Sequence, residues 1–91
     1  MKILRITAIK LTGPHNLWLR FNNGYEGEVN LTPLLSGLVF VPLQNPDYFA
    51  QVELNAETGT ITWPNGADFA PEALLELCQA FKAKLLMGTK L

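Results

Sequence analysis

His15 and Cys78 are the only histidine and the only cysteine in this chain of 91 residues. Nucleophilic catalysis would need a nucleophile, a base and an orienting group within hydrogen-bond reach. His15 sits in a stretch that Gly13 and Pro14 make turn-like, whereas Cys78 falls on the apolar stripe of a helix, where a thiol behaves as a small hydrophobe. The two make a dyad only if that loop folds over the helix. One histidine, one cysteine and scattered carboxylates also lack the local spacing of zinc or calcium sites, so neither a metal nor another cofactor is expected. Two carboxylate pairs remain: Glu26 with Glu28 on one strand face, and Glu72 with Glu76 one helical turn apart. Either pair could do acid–base work if one member were desolvated; on an outward face they are plain solvated charges. Gly13, Gly24, Gly27 and Gly37 are isolated and form no phosphate-cradling loop. The chemistry-bearing residues therefore point away from an enzyme.

Two groups of residues fit recognition better. Trp18 and Arg20 share the outward face of a strand, opposite Leu17, Leu19 and Phe21, and both types dominate interface hot spots. If a helix or another strand covers Trp18, it is ordinary core instead. Arg5 would extend this face if the N-terminal strand pairs alongside, although Glu26 and Glu28 on the neighbouring strand would repel phosphate. The second group is "TITWPNGADFAPEALLEL", residues 60–77, with Trp63, Pro64, Asn65, Gly66 and Asp68 crowded ahead of a helix. Pro64 presets a turn that Asn65-Gly66 can complete, and Asp68 could accept from the free N–H groups at the helix start. Trp63 is suited to plugging the gap between sheet and helix, or to lining a small-molecule pocket. The corner reads as a structural joint or as a recognition surface.

The elements that must carry these groups follow from periodicity. Ile3 to Leu11 (ILRITAIKL) reads as a strand covered on much of both faces, and Thr12 to Asn16 as a loop. Leu17, Leu19 and Phe21 alternate with Trp18 and Arg20. After Asn22-Asn23-Gly24, Val29 and Leu31 alternate with Glu28 and Asn30. Two period-2 segments joined through Asn-Gly predict a β-hairpin that buries Leu19, Phe21, Val29 and Leu31. Thr32-Pro33 and Asn45-Pro46 each pair a capping residue with proline and predict short helical turns, with LVFVPL an extended segment between them. Gln51 to Leu54 and Thr60 to Trp63 form a second hairpin through Asn55–Gly59. From Pro71 to about Met87, Leu74, Cys78, Phe81 and Leu85 recur at helical spacing.

Composition agrees with one domain covering residues 1–91: 48 % hydrophobic and 16 % charged residues argue against disorder. No apolar run is long enough for a membrane span and the N-terminus lacks the apolar core of a signal peptide, so a cytoplasmic protein is expected. Net charge is −1, with Lys2, Arg5, Lys10 and Arg20 near one end, Lys82, Lys84 and Lys90 near the other, and every acid between. If the ends meet, one side is basic and the rest acidic.

The order "RITAIKL", "LRFNNGYEGEVNL", "LLSGLVFVPLQNPDYFAQVELN" and "GTITWPNGADFAPEALLE" resembles the small bacterial domain-of-unknown-function family 2442 from about Arg5 to Leu75, with "TITWPNGADFAPE" the most specific piece. The resemblance implies an α+β fold with an antiparallel sheet and no established activity. It also implies frequent pairing with a small companion protein in operons like toxin–antitoxin modules. Some relatives add a helix-turn-helix, for which the few residues after Met87 leave no room. The expectation is therefore an α+β domain: an antiparallel sheet of about five strands, the Pro71–Met87 helix packed on it, and two short helical turns. Its function is expected to be non-catalytic protein interaction, as an antitoxin-like or accessory subunit. Trp18 and Arg20 would be the anchor, with an acidic face steering a basic partner. A nucleic-acid accessory role and a small-molecule-binding domain are the alternatives, and self-association is left open.

Overall fold

Pro14 and His15 are a tight reversal rather than part of an open loop, and that one feature sets the first half of the molecule. The computed structural model describes residues 3–88, with side chains as far as Ala83. The first strand, β1 (Ile6–Gly13), runs up to this reversal and pairs antiparallel with β2 (Asn16–Phe21). The Asn22–Gly24 turn then leads into β3 (Glu26–Asn30), completing a three-stranded sheet of order β1-β2-β3. Leu17, Leu19, Phe21 and Val29 are buried, as the alternation requires, and Leu31 just beyond β3 is fully enclosed.

β1 departs from expectation. Only Ile6 is buried; Ile9 is half-buried and Leu11 exposed, so the strand is an edge and not doubly covered. Apolar runs read the same whether or not a second layer arrives, which is why composition alone misassigned it.

Residues 32–50 hold three short helical pieces rather than two turns and an extended segment. Thr32–Leu34 and Val41–Gln44 are 3₁₀ turns, and α1 (Pro46–Phe49) is a single α-turn. Asn45 caps α1 by accepting from the Asp47 N–H at 2.9 Å, as expected, and Phe49 is fully buried. Thr32 caps nothing with its side chain, because Leu31 holds the N-cap position; the Thr32 N–H is taken by Asn30 Oδ1 at 2.8 Å. The stretch LVFVPL does not extend. The Phe40 and Val41 N–H groups both fold back on the Gly37 carbonyl.

The second half forms its own sheet. The N–H groups of Gln51 and Val52 still bond back into the α1 turn, so β4 starts only at Glu53 (Glu53–Asn55). It pairs with β5 (Thr60–Thr62), which pairs in turn with β6 (Asp68–Phe69), in order β4-β5-β6. The single sheet of about five strands is thus replaced by two sheets of three. The Ile6 N–H to Gly59 carbonyl bond at 2.8 Å ties the start of β1 to the β4–β5 turn, but no ladder continues from it.

Helix α2 (Pro71–Gly88) turns Leu74 and Cys78 into the core. The helix comes close to β3 at Gly27: a Cβ placed there would lie 3.5 Å from the Cys78 Cβ, in ordinary contact, and 3.2 Å from the Tyr25 ring, which would have to give slightly. Burial pushes the Cys78 thiol up to about 11, so it stays protonated and apolar in character. Leu85, expected on the same stripe, and Lys84 lie outside the described side chains; Lys2 and Lys90 lie outside the described residues. The core is one cluster drawn from both sheets, α1 and α2. None of the described helices is long and apolar enough to cross a membrane.

Candidate functional site

Strand register places the residues around Trp18. Directly opposed residues on neighbouring strands share a face of the sheet. Trp18 opposes Lys10 on β1 and Glu28 on β3, and Arg20 opposes Ala8 and Glu26. This face looks away from Leu17, Leu19 and Phe21, which are buried in the shared core. Among the described residues no helix or strand covers it, so Trp18 is half-buried by its own sheet neighbours rather than being core.

The face is ordered by polar contacts. The Arg20 guanidinium carbon lies 5.3 Å from the Trp18 ring centroid, and its Nε is 3.4 Å from Glu26 Oε2. Both charged side chains are half-exposed, so the ion pair is worth roughly 0.2–1 kcal/mol, and the cation–π contact adds a similar amount. Their main effect is to hold Arg20 against the indole. Glu28 accepts from Thr12 Oγ1 at 2.9 Å and Asn16 Nδ2 at 3.1 Å, and Asn16 Oδ1 accepts from Asn30 Nδ2 at 3.1 Å. Lys10, Thr12, Trp18 and Glu28 line a groove of about 360 Å³.

Lys10 and Arg20 balance Glu26 and Glu28, so this is not the acidic face expected to steer a basic partner. Arg5 does not join it either. Its Nη2 donates to the Ala56 and Glu57 carbonyls at 2.6 and 2.8 Å, clamping the β4–β5 turn. The place of Lys10 and Thr12 beside Trp18 is missed by sequence reasoning because it follows from the reversal at Pro14-His15. Gly-Pro-His-Asn was the available signal for it.

The Trp63–Asp68 corner resolves as a joint. Trp63 is 3 % exposed, and its Nε1–H donates to the Phe49 carbonyl at 2.9 Å. Its ring packs on Phe49 (centroids 5.4 Å apart) and edge-on to Phe69 (5.9 Å). Phe49 and Phe69 thus occupy space beside the ring, where the small-molecule alternative would put its pocket. Pro64 and Gly66 are exposed in the turn between β5 and β6, closed by Gly66 N–H to Trp63 O and Trp63 N–H to Ala67 O, each 2.9 Å. Asn65 does two jobs. Its Oδ1 accepts from the Ala67 N–H at 3.0 Å, and its Nδ2 donates to the Val39 carbonyl at 2.8 Å, tying the turn to a loop 26 positions earlier.

Asp68 does not cap α2. It is an exposed β6 residue paired with Thr62, and Ala70 is the residue whose carbonyl accepts from the Leu74 N–H inside α2. Pairing with β5 holds Asp68 in extended backbone, two residues short of the capping position. Asp68→Ala is accordingly expected to move stability by less than about 0.5 kcal/mol. Asn65→Ala, which removes two hydrogen bonds, should cost roughly 1–2 kcal/mol. Thermal melting of the two variants side by side checks this, and an Asp68 loss equal to that of Asn65 would restore the cap.

The dyad does not assemble. His15 Nε2 lies 2.9 Å from the Gln44 carbonyl and its ring meets Phe49 edge-on at 5.2 Å, while Cys78 is enclosed against β3. Among the described residues no group of three His, Cys, Asp or Glu side chains converges as metal ligands would.

A family model described as "Protein of unknown function (DUF2442)" matches residues 6–80. The chain belongs to the DUF2442 family. The matched span runs from the first residue of β1 well into α2, so it takes in both sheets, the uncovered face with Trp18 and Arg20, and the Trp63 joint. No curated protein and no solved structure is significantly similar to the chain. Membership in DUF2442 brings no activity with it, and the function has to be argued from the geometry of this member.

Proposed function

We propose that this DUF2442 protein is a non-catalytic protein-interaction module that recognises a small companion protein through the uncovered face of its first sheet. The observation that carries the reading is the half-buried Trp18, held by Arg20 at the centre of a three-stranded face on which no described element lies. An indole fixed in place by its neighbours loses little freedom on binding and offers a large apolar area with one N–H donor. The surrounding groove, with Lys10 on one side and Glu28 on the other, suits a partner segment of mixed charge with an apolar residue to set on the ring. An antitoxin-like or accessory role in the cytoplasm fits such a surface and rests on the family resemblance. Nucleic acid suits it less well, because Arg20 is held by Glu26 and Arg5 is committed to backbone carbonyls elsewhere.

The test is capture of a partner from nuclease-treated native lysate by tagged wild-type protein and by Trp18→Ala. Truncation of a surface indole is expected to leave the melting temperature within a few degrees of wild type, since no core contact is lost. Capture should fall at least tenfold, as for an interface hot spot worth about 2 kcal/mol or more. Equal capture by both proteins would refute the site. Capture that disappears with nuclease would favour the nucleic-acid reading.

A further inference from the structure

From Val29 to Pro46 the chain carries no charged residue, and the structure exposes much of that run. Gly37 opens a turn in which the Phe40 and Val41 N–H groups share its carbonyl, so Leu38 and Val39 stand at the tip. Leu38 is 97 % exposed, with Val39 and Val41 about half exposed beside it. An isolated exposed leucine is ordinary; three aliphatic side chains on one rigid turn are a patch. The turn is rigid because it is held at two points: Asn65 Nδ2 donates to the Val39 carbonyl at 2.8 Å, and Phe40 stacks on Phe69 with centroids 5.0 Å apart.

Phe69 is also one wall of a groove. With Leu34 and with Ala73, Leu77 and Ala80 of α2 it lines an open groove of about 450 Å³. These three helix residues recur at spacings of four and three, a second apolar stripe beside the one that carries Leu74 and Cys78 into the core. Glu76 is the charged residue of the lining, and it is exposed. One side of the molecule thus joins an aliphatic knob to an apolar groove, with Phe40 and Phe69 as the hinge between them.

We infer that this surface is a symmetric homodimer interface, in which the Leu38 turn of one copy seats in the Phe69–Leu77 groove of a second. A two-fold interface is made from the same patch on both subunits, so it must be self-complementary. A knob and a groove on one surface satisfy that requirement. The absence of charge along residues 29–46 lets the surface meet its own copy without like-charge repulsion, and gives a charged heterologous partner little to be steered by. Apart from the exposed Glu76, the described lining is apolar and includes the aromatic Phe69, which is also the composition of homodimer interfaces. The Trp18 face lies on the outward side of the first sheet and is built from different residues, so dimerisation leaves it available for a partner.

Sedimentation equilibrium from low micromolar to several hundred micromolar protein tests this, with two variants and a control. Leu38→Asp removes the knob at a position exposed enough to leave the monomer fold intact. Ala80→Arg fills the groove while placing a cation four residues after Glu76, a helix-compatible pairing. Wild type should dimerise, and each variant should weaken the dimer at least about a hundredfold, since both copies lose the contact. Trp18→Ala should dimerise as wild type does. Circular dichroism establishes that the variants are folded. A wild type that stays monomeric over the whole range overturns the inference, and so does a dimer that survives both substitutions.

Discussion

Trp63→Ala is expected to destabilise the protein by about 3–5 kcal/mol, enough to remove much of the stability of a domain this size. The ring does more than fill volume. Phe49 and Phe69 pack on it, His15 packs on Phe49 and Phe40 stacks on Phe69, so the indole is the middle member of a chain of five rings. That chain joins the β1–β2 reversal, α1, the second sheet and the Gly37–Val41 turn. Its Nε1–H also donates to the Phe49 carbonyl at the end of α1, and alanine would remove that bond and leave the carbonyl with the Val52 N–H at 3.2 Å as its partner. Trp63→Phe retains most of the packing and should cost roughly 1–2 kcal/mol, so the difference between the two variants separates volume from hydrogen bond. Urea unfolding followed by circular dichroism measures both. A loss below about 1 kcal/mol for alanine would show that the joint does not depend on this ring. Because the Leu38 turn leans on Phe69 through Phe40, Trp63→Phe should leave the dimer largely intact while Trp63→Ala loosens it.

Gly59→Ala is the second large effect, at roughly 2–4 kcal/mol. Gly59 has φ of +72°, a conformation that costs an L-residue about 1–2 kcal/mol. Space adds to that cost: a Cβ there would fall 2.6 Å from the Arg5 Cβ, 2.9 Å from its Cγ and 3.1 Å from its Cα. Arg5 cannot simply swing aside, since its guanidinium is bonded to the Ala56 and Glu57 carbonyls and its backbone carbonyl accepts from the Asn22 N–H at 2.9 Å. Moving it would break the Ile6 N–H to Gly59 carbonyl bond, where β1 meets the second sheet. Gly24→Ala provides the comparison. Gly24 has φ of +89° but open space around it, so alanine there should cost only the conformational part, about 1–2 kcal/mol. Equal losses at the two positions, read from thermal or urea unfolding, would mean that the contact with Arg5 relaxes freely.

The residues that misled the sequence reading share a property. Asp68 has the composition of a helix cap and lies just ahead of Pro71, yet β6 claims its backbone because Thr62 is available to pair with it. Arg5 looked like a neighbour of Arg20, yet it reaches carbonyls 51 and 52 positions away. LVFVPL has the β-branched, apolar character of a strand, yet it finds no strand to pair with and folds into turns. In each case the side chain or backbone had several chemically adequate partners, and chain topology chose among them.

What the sequence determined by itself is the part that repeats at short range. The period-2 alternation around Asn22-Asn23-Gly24 and the period-3.6 stripe after Pro71 specify β2, β3 and α2 together with the buried faces of Leu19, Phe21, Val29, Leu74 and Cys78. Water drives those faces inward whatever lies opposite them. Tertiary structure alone decided that the strands divide into two sheets, that no described element covers Trp18 and Arg20, and that Leu38 stands beside a groove on α2. Those outcomes depend on which distant segments meet. A hydrogen bond or a covering layer between residues tens of positions apart leaves no periodic trace in the chain that makes it.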